Sequence, residues 1–292
     1  PMTNNNLKTV GLLAALGAVI VLVGQTLGGT GGAIIALGIA AVLNFGMYFF
    51  SDKLALKASR ARPIEEGELP QVTSIVSKLA QMENMPMPKL YYIDSPQPNA
   101  FATGRSPKHA AVAVTGGILQ LMTNEELEGV LAHELAHVRN RDILIGTIAA
   151  TMAAALSIFA RMAMWGALGG RRNNNSPLGG IVALISIILA PLAAMVIKLA
   201  ITRAREYQAD RTGAAITGQP LALASALRKL EAGTTQIPMD VNPAVAPLYI
   251  ADPLKAFGGK RDGGGSLRKL FATHPPISDR VARLEEMASP FS

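Results

Sequence analysis

Cysteine is absent from the 292 residues. That excludes a disulfide framework and removes thiolates from the possible metal ligands and nucleophiles. Charge is also scarce. Asp, Glu, Lys and Arg make up 16% of the chain, where a soluble domain carries about 25%. The deficit is local, because no charged residue occurs between Thr9 and Ser51. A glycine-rich break, Gly28-Gly29-Thr30-Gly31-Gly32, divides that stretch in two. Each half is long enough for a span of about 20 residues, so the pattern predicts a helical hairpin in a bilayer. A cleaved secretory signal led by Lys8 is disfavoured, since the first apolar segment runs straight into the second.

Half of the residues are hydrophobic and mean hydropathy is +0.31. The net charge is +7 with a pI near 9.8, but the cations neither interleave with aromatics nor line one helix face. Nucleic acid is therefore not the expected partner. Lys53, Lys57, Arg60 and Arg62 instead follow the first hairpin, a juxtamembrane placement that speaks for topology and contact with the lipid bilayer. The positive-inside bias puts the segment after the hairpin in the cytoplasm, although the Arg171-Arg172 turn then faces outward against the bias. Two more uncharged runs, Ile143 to Ala160 and Asn173 to Ile197, bring the expected membrane helices to about four, with Trp165 suited to an interface. Arg161, Pro191 and Lys198 interrupt these runs, so packing as protein-buried helices is the alternative. The expected organisation is a membrane hairpin over 1–51, a first catalytic part over 52–142, a second pair of membrane helices over 143–200 and a second catalytic part over 201–292.

Within 52–142, Val72, Ile75, Val76 and Leu79 recur at helical spacing and predict a helix over Pro70 to Met82. Leu90 to Ile93, Ala100 to Thr103 and Ala111 to Val114 read as short strands of a small sheet, bounded by Pro and Gly. Thr123 and Glu126 form a capping-box pair ahead of an apolar stripe, predicting a helix to about Arg139. In the second part, Arg205 to Ile216 and Ile277 to Met287 are helix candidates, with a flexible loop over Gly258 to Ser266.

The capped helix contains His133-Glu134-Leu135-Ala136-His137. Histidines four apart share one helical face, so both imidazoles can reach one zinc while the intervening Glu points at its open position. Random placement of the chain's His and Glu would produce this pattern about 0.002 times. Zinc that does chemistry keeps three protein ligands and one open site. With no Cys, and only His109 and His274 left, a carboxylate is the expected third ligand. Glu206 fits, because Asp210 lies one turn further on and can accept a ring N–H from a ligand His; an ion-paired surface helix with Arg205 and Arg211 is the plainer alternative. An even number of crossings between His137 and Glu206 keeps all ligands on one side. In the expected mechanism zinc activates a water, Glu134 is its general base, and the hydroxide attacks a peptide carbonyl. His274, stiffened by Pro275 and Pro276, is either a donor to the oxyanion that can also fill zinc's fourth position at rest, or a loop residue capping the last helix. His109, beside Lys108, reads as a solvated loop residue.

The order of these features resembles the HtpX family of bacterial heat-shock proteases, which are gluzincin-type metallopeptidases. It comprises a membrane hairpin, Asn99-Ala100-Phe101-Ala102-Thr103-Gly104, the paired-His motif, two apolar segments, Glu206 to Asp210 and His274-Pro275-Pro276. The resemblance covers nearly the whole chain. It implies an α-helical integral membrane protein with an α+β zincin-like catalytic domain, zinc as cofactor, and a cytoplasm-facing site in the bacterial plasma membrane. Damaged or misfolded membrane proteins are then the expected substrates. It also implies that Asn99, Ala100, Phe101 and Ala102 belong to an active-site edge strand, where an extended substrate adds by backbone pairing. Two rival readings stay open: an intramembrane metalloprotease, which the charged motif helix argues against, and a membrane scaffold or chaperone with structural zinc or none.

Overall fold

The computed structural model describes residues 2–150, 203–242, 245–258 and 274–289. Most of the expected second membrane pair, with Trp165 and the Arg171-Arg172 turn, lies outside the described residues, as does nearly all of the Gly258 to Ser266 loop. Helix α1 spans Met2–Ala58 and is broken at Gly28 and at Gly29, whose φ of +58 suits glycine. The two arms fold back on each other. A Cβ added to Gly32 would come within 2.2 Å of the Gly24 carbonyl oxygen, so only glycine admits this approach. Asn44 Nδ2 ties the arms by donating to Leu13 C=O at 3.1 Å. Thr9–Thr26 and Gly28–Ala58 are each apolar and long enough to cross a membrane. The second arm has 31 residues, about 46 Å at the helical rise, against a hydrocarbon core of about 30 Å. Its last turns therefore extend past the apolar zone, and there Leu56 packs with Phe101, Ala111 and Ala113 of the sheet.

The sheet has four strands, β1 (Arg62–Pro63), β2 (Lys89–Ile93), β3 (Ala100–Gly104) and β4 (Ala110–Thr115), in the order β1-β2-β4-β3. β2 and β4 are parallel; the other pairs are antiparallel. β3 is thus an edge strand, with Ala102 opposite Val112. Helices α2 (Pro70–Met82), α3 (Gly116–Leu121) and α4 (Asn124–Arg139) complete the first part. The expected capping box is present at α4, where Thr123 and Glu126 bond each other's backbone N–H. Arg141, with φ +57, turns the chain out of α4 into α5, helical over 142–150. The second part contributes α6 (Arg203–Thr217), α7 (Pro220–Gln236) and α8 (Ile277–Ala288). α7 was not anticipated, although Leu223, Leu227 and Leu230 carry a helical repeat and are fully buried.

The main core joins both parts, with Val76, Leu127, Leu131, Leu135, Leu223, Leu227 and Leu284 in one cluster. Two helix crossings depend on glycine. Gly129 of α4 meets Leu223 of α7, and Gly213 of α6 meets the His133 backbone, where an added Cβ would lie 2.9 Å from His133 N. Gly213 therefore sets how closely α6 approaches the motif helix. That crossing brings the Glu206 to Asp210 turn onto His133.

Candidate metal centre

His133 and His137 point from one face of α4 with ring centroids 4.8 Å apart, and Glu206 comes from the first turn of α6. One potential ligand atom of each lies within 4.8 Å of the other two. Glu206 is buried, with Oε2 3.8 Å from His133 Nε2 and Oε1 3.4 Å from His137 Nε2. Each histidine keeps Nδ1 for a carboxylate: His133 Nδ1 is 2.9 Å from Asp210 Oδ1, and His137 Nδ1 is 3.4 Å from Asp142 Oδ2. A carboxylate only accepts, so each Nδ1 is the donor to its carboxylate, and each Nε2 is turned toward Glu206. Nδ1 held by a carboxylate leaves Nε2 as the nitrogen available to a metal, which would displace any proton there. The surface-helix alternative is set aside, because Glu206 and Asp210 are 4% and 3% exposed and Arg205 turns to Asp142 at 3.6 Å.

Electrostatics at the cluster favours a cation. Burial lowers the pKa of His133 to about 4 despite the raising effect of Asp210, so its ring is neutral at physiological pH. Burial would lower His137 too, but Asp142, Glu206 and the charge of Glu134 outweigh it and raise it to about 10. Glu206 is held well below the usual carboxylate range, its burial overcome by His274 and His137. Two imidazole nitrogens and one carboxylate, oriented by further carboxylates, are a donor set that fits zinc.

Glu134 is buried beside these ligands, and Ala102 N–H of β3 donates to its Oε2 at 2.8 Å. Burial raises its pKa to about 7, with the Glu206 charge adding to the rise and His137 opposing it. His274 reaches the same cluster with Nδ1 2.9 Å from Glu206 Oε2. Its Nε2 is buried with no hydrogen-bond partner among the described residues. It does not cap α8, whose N-cap is Pro276 without a side-chain bond. His109 is exposed, as expected of a solvated residue, but ends the 3-10 turn Pro107–His109 rather than lying in an irregular loop, and it is bonded to Ser106.

The edge strand is partly covered by the chain itself. Ile250 N–H donates to Ala100 C=O at 3.0 Å, and Asn99 Nδ2 donates to Ala251 C=O at 2.8 Å. Phe101 is fully buried against Tyr249, ring centroids 4.8 Å apart. Ala102 is the strand residue that touches the cluster, through Glu134.

Sequence reasoning missed two site residues. Asp142 lies five positions after His137, beyond the helix end, so no helical period marks it. Arg280 left a signal: it falls on the apolar face of α8 formed by Ile277, Val281 and Leu284, and it is fully buried. Its Nε and Nη2 donate to Asp210 at 2.7 and 2.6 Å, and its Nη1 donates to Ile250 C=O at 3.3 Å. Arg280 charge and hydrogen bonds outweigh burial and lower Asp210 to about 2.

Residues 66–288 match the family Peptidase family M48. The chain is 49% identical over 287 residues to the "Protease HtpX homolog" of Pelotomaculum thermopropionicum, covering 97% of this chain and 99% of that one. It is 52% identical over 286 residues to that of Thermodesulfovibrio yellowstonii, with the same coverage. Among solved structures, S. mikatae Ste24p is similar at TM-score 0.49 and 19% identity, covering 97% of this chain and 65% of that chain.

Proposed function

This chain belongs to peptidase family M48 and is an HtpX-type metalloprotease, and from that premise we propose that it is a membrane-bound zinc endopeptidase whose metal is held by His133, His137 and Glu206. The observation that carries this reading is the convergence of those three ligand atoms within 4.8 Å, with a carboxylate on each His Nδ1. When bound, zinc supplies Lewis acidity, lowering the pKa of a water and polarising the scissile carbonyl. Glu134 takes the proton of the attacking water and passes it to the leaving amine. Burial raises the Glu134 carboxyl above its ordinary pKa, the direction that favours holding the proton it takes before passing it on. Ala102 N–H fixes the Glu134 carboxylate, Asp210 and Asp142 fix the two imidazoles, and His274, held on Glu206, would assist the oxyanion and close the site at rest.

Substrates are unfolded or damaged membrane proteins in this reading, and the protein sits in the bacterial plasma membrane with the centre toward the cytoplasm. Two features support it. The second apolar arm packs on the sheet through Leu56, and α5 packs on the hairpin through Met47, Leu144, Ile145 and Ile148, which supports a cleft near the membrane surface. The cationic residues after the hairpin supply the orientation. Four membrane helices and a gluzincin-type fold belong to the same proposal.

The deciding experiment is zinc content and casein cleavage of the detergent-solubilised protein, with and without a chelator. Glu134→Gln is expected to keep zinc and lose nearly all turnover, while Glu206→Ala loses zinc. Full turnover by zinc-loaded Glu134→Gln would end the mechanism, and full zinc in Glu206→Ala would move the third ligand elsewhere.

A further inference from the structure

The charge-free run of the hairpin ends just past an aromatic group near the end of the second arm. Phe49 stands 21 positions after Gly28, about 32 Å along the helix, so a hydrocarbon core of about 30 Å ends close to it. Phe45 and Tyr48 pack on its ring with centroids 4.4 and 5.0 Å away, and Phe45, Tyr48 and Phe50 are exposed. Aromatic side chains gather in this way at the level of lipid headgroups. The first charged residues, Asp52 and Lys53, follow about one turn later.

Arg105 is brought to the same level from the catalytic part, 56 residues further along the chain. Its guanidinium lies over the Phe49 ring, 5.2 Å from the centroid, and Nη1 donates to Phe49 C=O at 3.5 Å. That stacking sets the position of the guanidinium, and its other N–H groups meet no acceptor among the described residues. Lys53 lies one turn beyond Phe49 on the same helix face, with Nζ 5.5 Å from the Phe50 centroid. Lys108 is exposed on the turn that follows Arg105. Among the described residues none of these three cations is paired with a carboxylate, whereas Arg60 takes Asp240 at 2.9 Å. Asp52, the acid nearest in sequence to Lys53, accepts from the Lys53 backbone N–H at 2.8 Å. A half-buried guanidinium beside an aromatic belt and two further cations suits an anion that offers two oxygens to its fork.

We propose that Arg105, with Lys53 and Lys108, binds the phosphate of an anionic phospholipid at the membrane surface beside Phe49. The two free oxygens of the phosphodiester accept from the guanidinium, while the acyl chains continue along Phe45 and the apolar arm. A zwitterionic headgroup would bring an ammonium into a group of three cations, so lipids without one are preferred. The site also bears on the reaction. Arg105 follows directly on β3, and three residues back Ala102 N–H holds Glu134 Oε2 at 2.8 Å. Fixing Arg105 on a headgroup steadies the strand that positions the general base, so anionic lipid raises turnover. This coupling rests on the reading of Glu134 as the base, and the lipid site on the reading of the hairpin as membrane-spanning.

The test is native mass spectrometry of the delipidated full chain in neutral detergent, titrated with phosphatidylglycerol or with phosphatidylcholine. Phosphatidylglycerol is expected to bind more tightly, with a preference that falls as salt rises. Arg105→Gln should weaken its binding about fivefold or more, and Lys108→Gln, at an exposed position that cannot disturb the fold, about fivefold. Arg105→Lys should recover part of the loss. Equal affinity for the two lipids, or native phosphatidylglycerol affinity in both Arg105→Gln and Lys108→Gln, overturns the site. Displacement of the lipid by millimolar glycerol phosphate would reveal a site for free phosphate and overturn the lipid assignment. Casein cleavage in nanodiscs reads the coupling: turnover should be higher in phosphatidylglycerol than in phosphatidylcholine, and Arg105→Gln should lose that difference. A difference retained in Arg105→Gln overturns the coupling and leaves the binding result standing. Absence of cleavage in both lipids by the zinc-loaded protein would tell against the peptidase reading, while the lipid titration still decides the site.

Discussion

His133 Nδ1 lies 2.9 Å from Asp210 Oδ1, and through that contact a buried carboxylate on α6 sets the tautomer of a histidine on α4. The same carboxylate is gripped by both Nε and Nη2 of Arg280. The last helix of the chain is therefore joined to the metal centre by one unbroken chain of buried polar contacts, and α8 serves the site without supplying a ligand.

Arg280→Met would leave Asp210 buried without its cation. Removing one partner of a buried pair costs about 3–5 kcal/mol, and loss of support behind a ligand lowers metal affinity about 10–100-fold. Urea unfolding and zinc titration in detergent measure both. Native values in both would show that Arg280 is a bystander.

Gly213→Ala should also weaken zinc binding, though no ligand is touched. The added methyl would press on the His133 backbone at 2.9 Å and push α6 away from α4, carrying Glu206 with it. Metal affinity equal to the native protein would mean that the crossing is looser than the structure indicates.

For His274→Ala, zinc is expected to stay bound while kcat falls about 10²-fold if the ring contacts the oxyanion. A small chelator should also extract the metal faster. Native kcat with a native extraction rate would leave only the Glu206 contact for this residue.

Acid should loosen the junction of α4 and α7 through Glu126. Burial raises its pKa, but Lys229, Ser225 and the Thr123 N–H overcome this and leave it below 4.5. A lowered carboxylate stabilises the fold above its unfolded pKa, and that contribution disappears as pH falls through the folded value. Glu126→Gln should therefore flatten the acid limb of the stability profile. An unchanged limb in the variant would remove Glu126 from the account.

Orientation can be read by labelling, since the chain has no native cysteine. Arg60→Cys, after the hairpin, and Arg228→Cys, on α7, are both expected to be shielded from an impermeant thiol reagent in intact cells. Labelling at either position before lysis would contradict a cytoplasmic centre.

Much of this site was legible because its information is local. His133 and His137 share a helical face by period alone, and Thr123 with Glu126 marks the helix start through bonds three residues apart. The apolar arms follow from length and composition, and the Gly28 and Gly29 break from the positive φ that glycine tolerates. α7 was legible too, through Leu223, Leu227 and Leu230, but its repeat lay outside the elements expected. A carboxylate third ligand was reachable by elimination among donors and Glu206 with Asp210 by their spacing of one helical turn, which named the residues but not their distances.

What the amino-acid order determined by itself is therefore the chemistry available: a His-Glu-x-x-His helix, a carboxylate pair, no thiolate, and a hairpin apolar enough to span a bilayer. Tertiary structure alone decided that Asp142 backs His137, because the chain turns at Arg141 with φ +57. It also decided that Arg280 meets Asp210 across 70 positions, and that Ile250 covers Ala100. Contacts of that kind depend on how closely α4, α6 and α8 can approach, which Gly213 and the buried leucines set through packing. Packing is a property of surfaces in contact, and no period along a single segment records it.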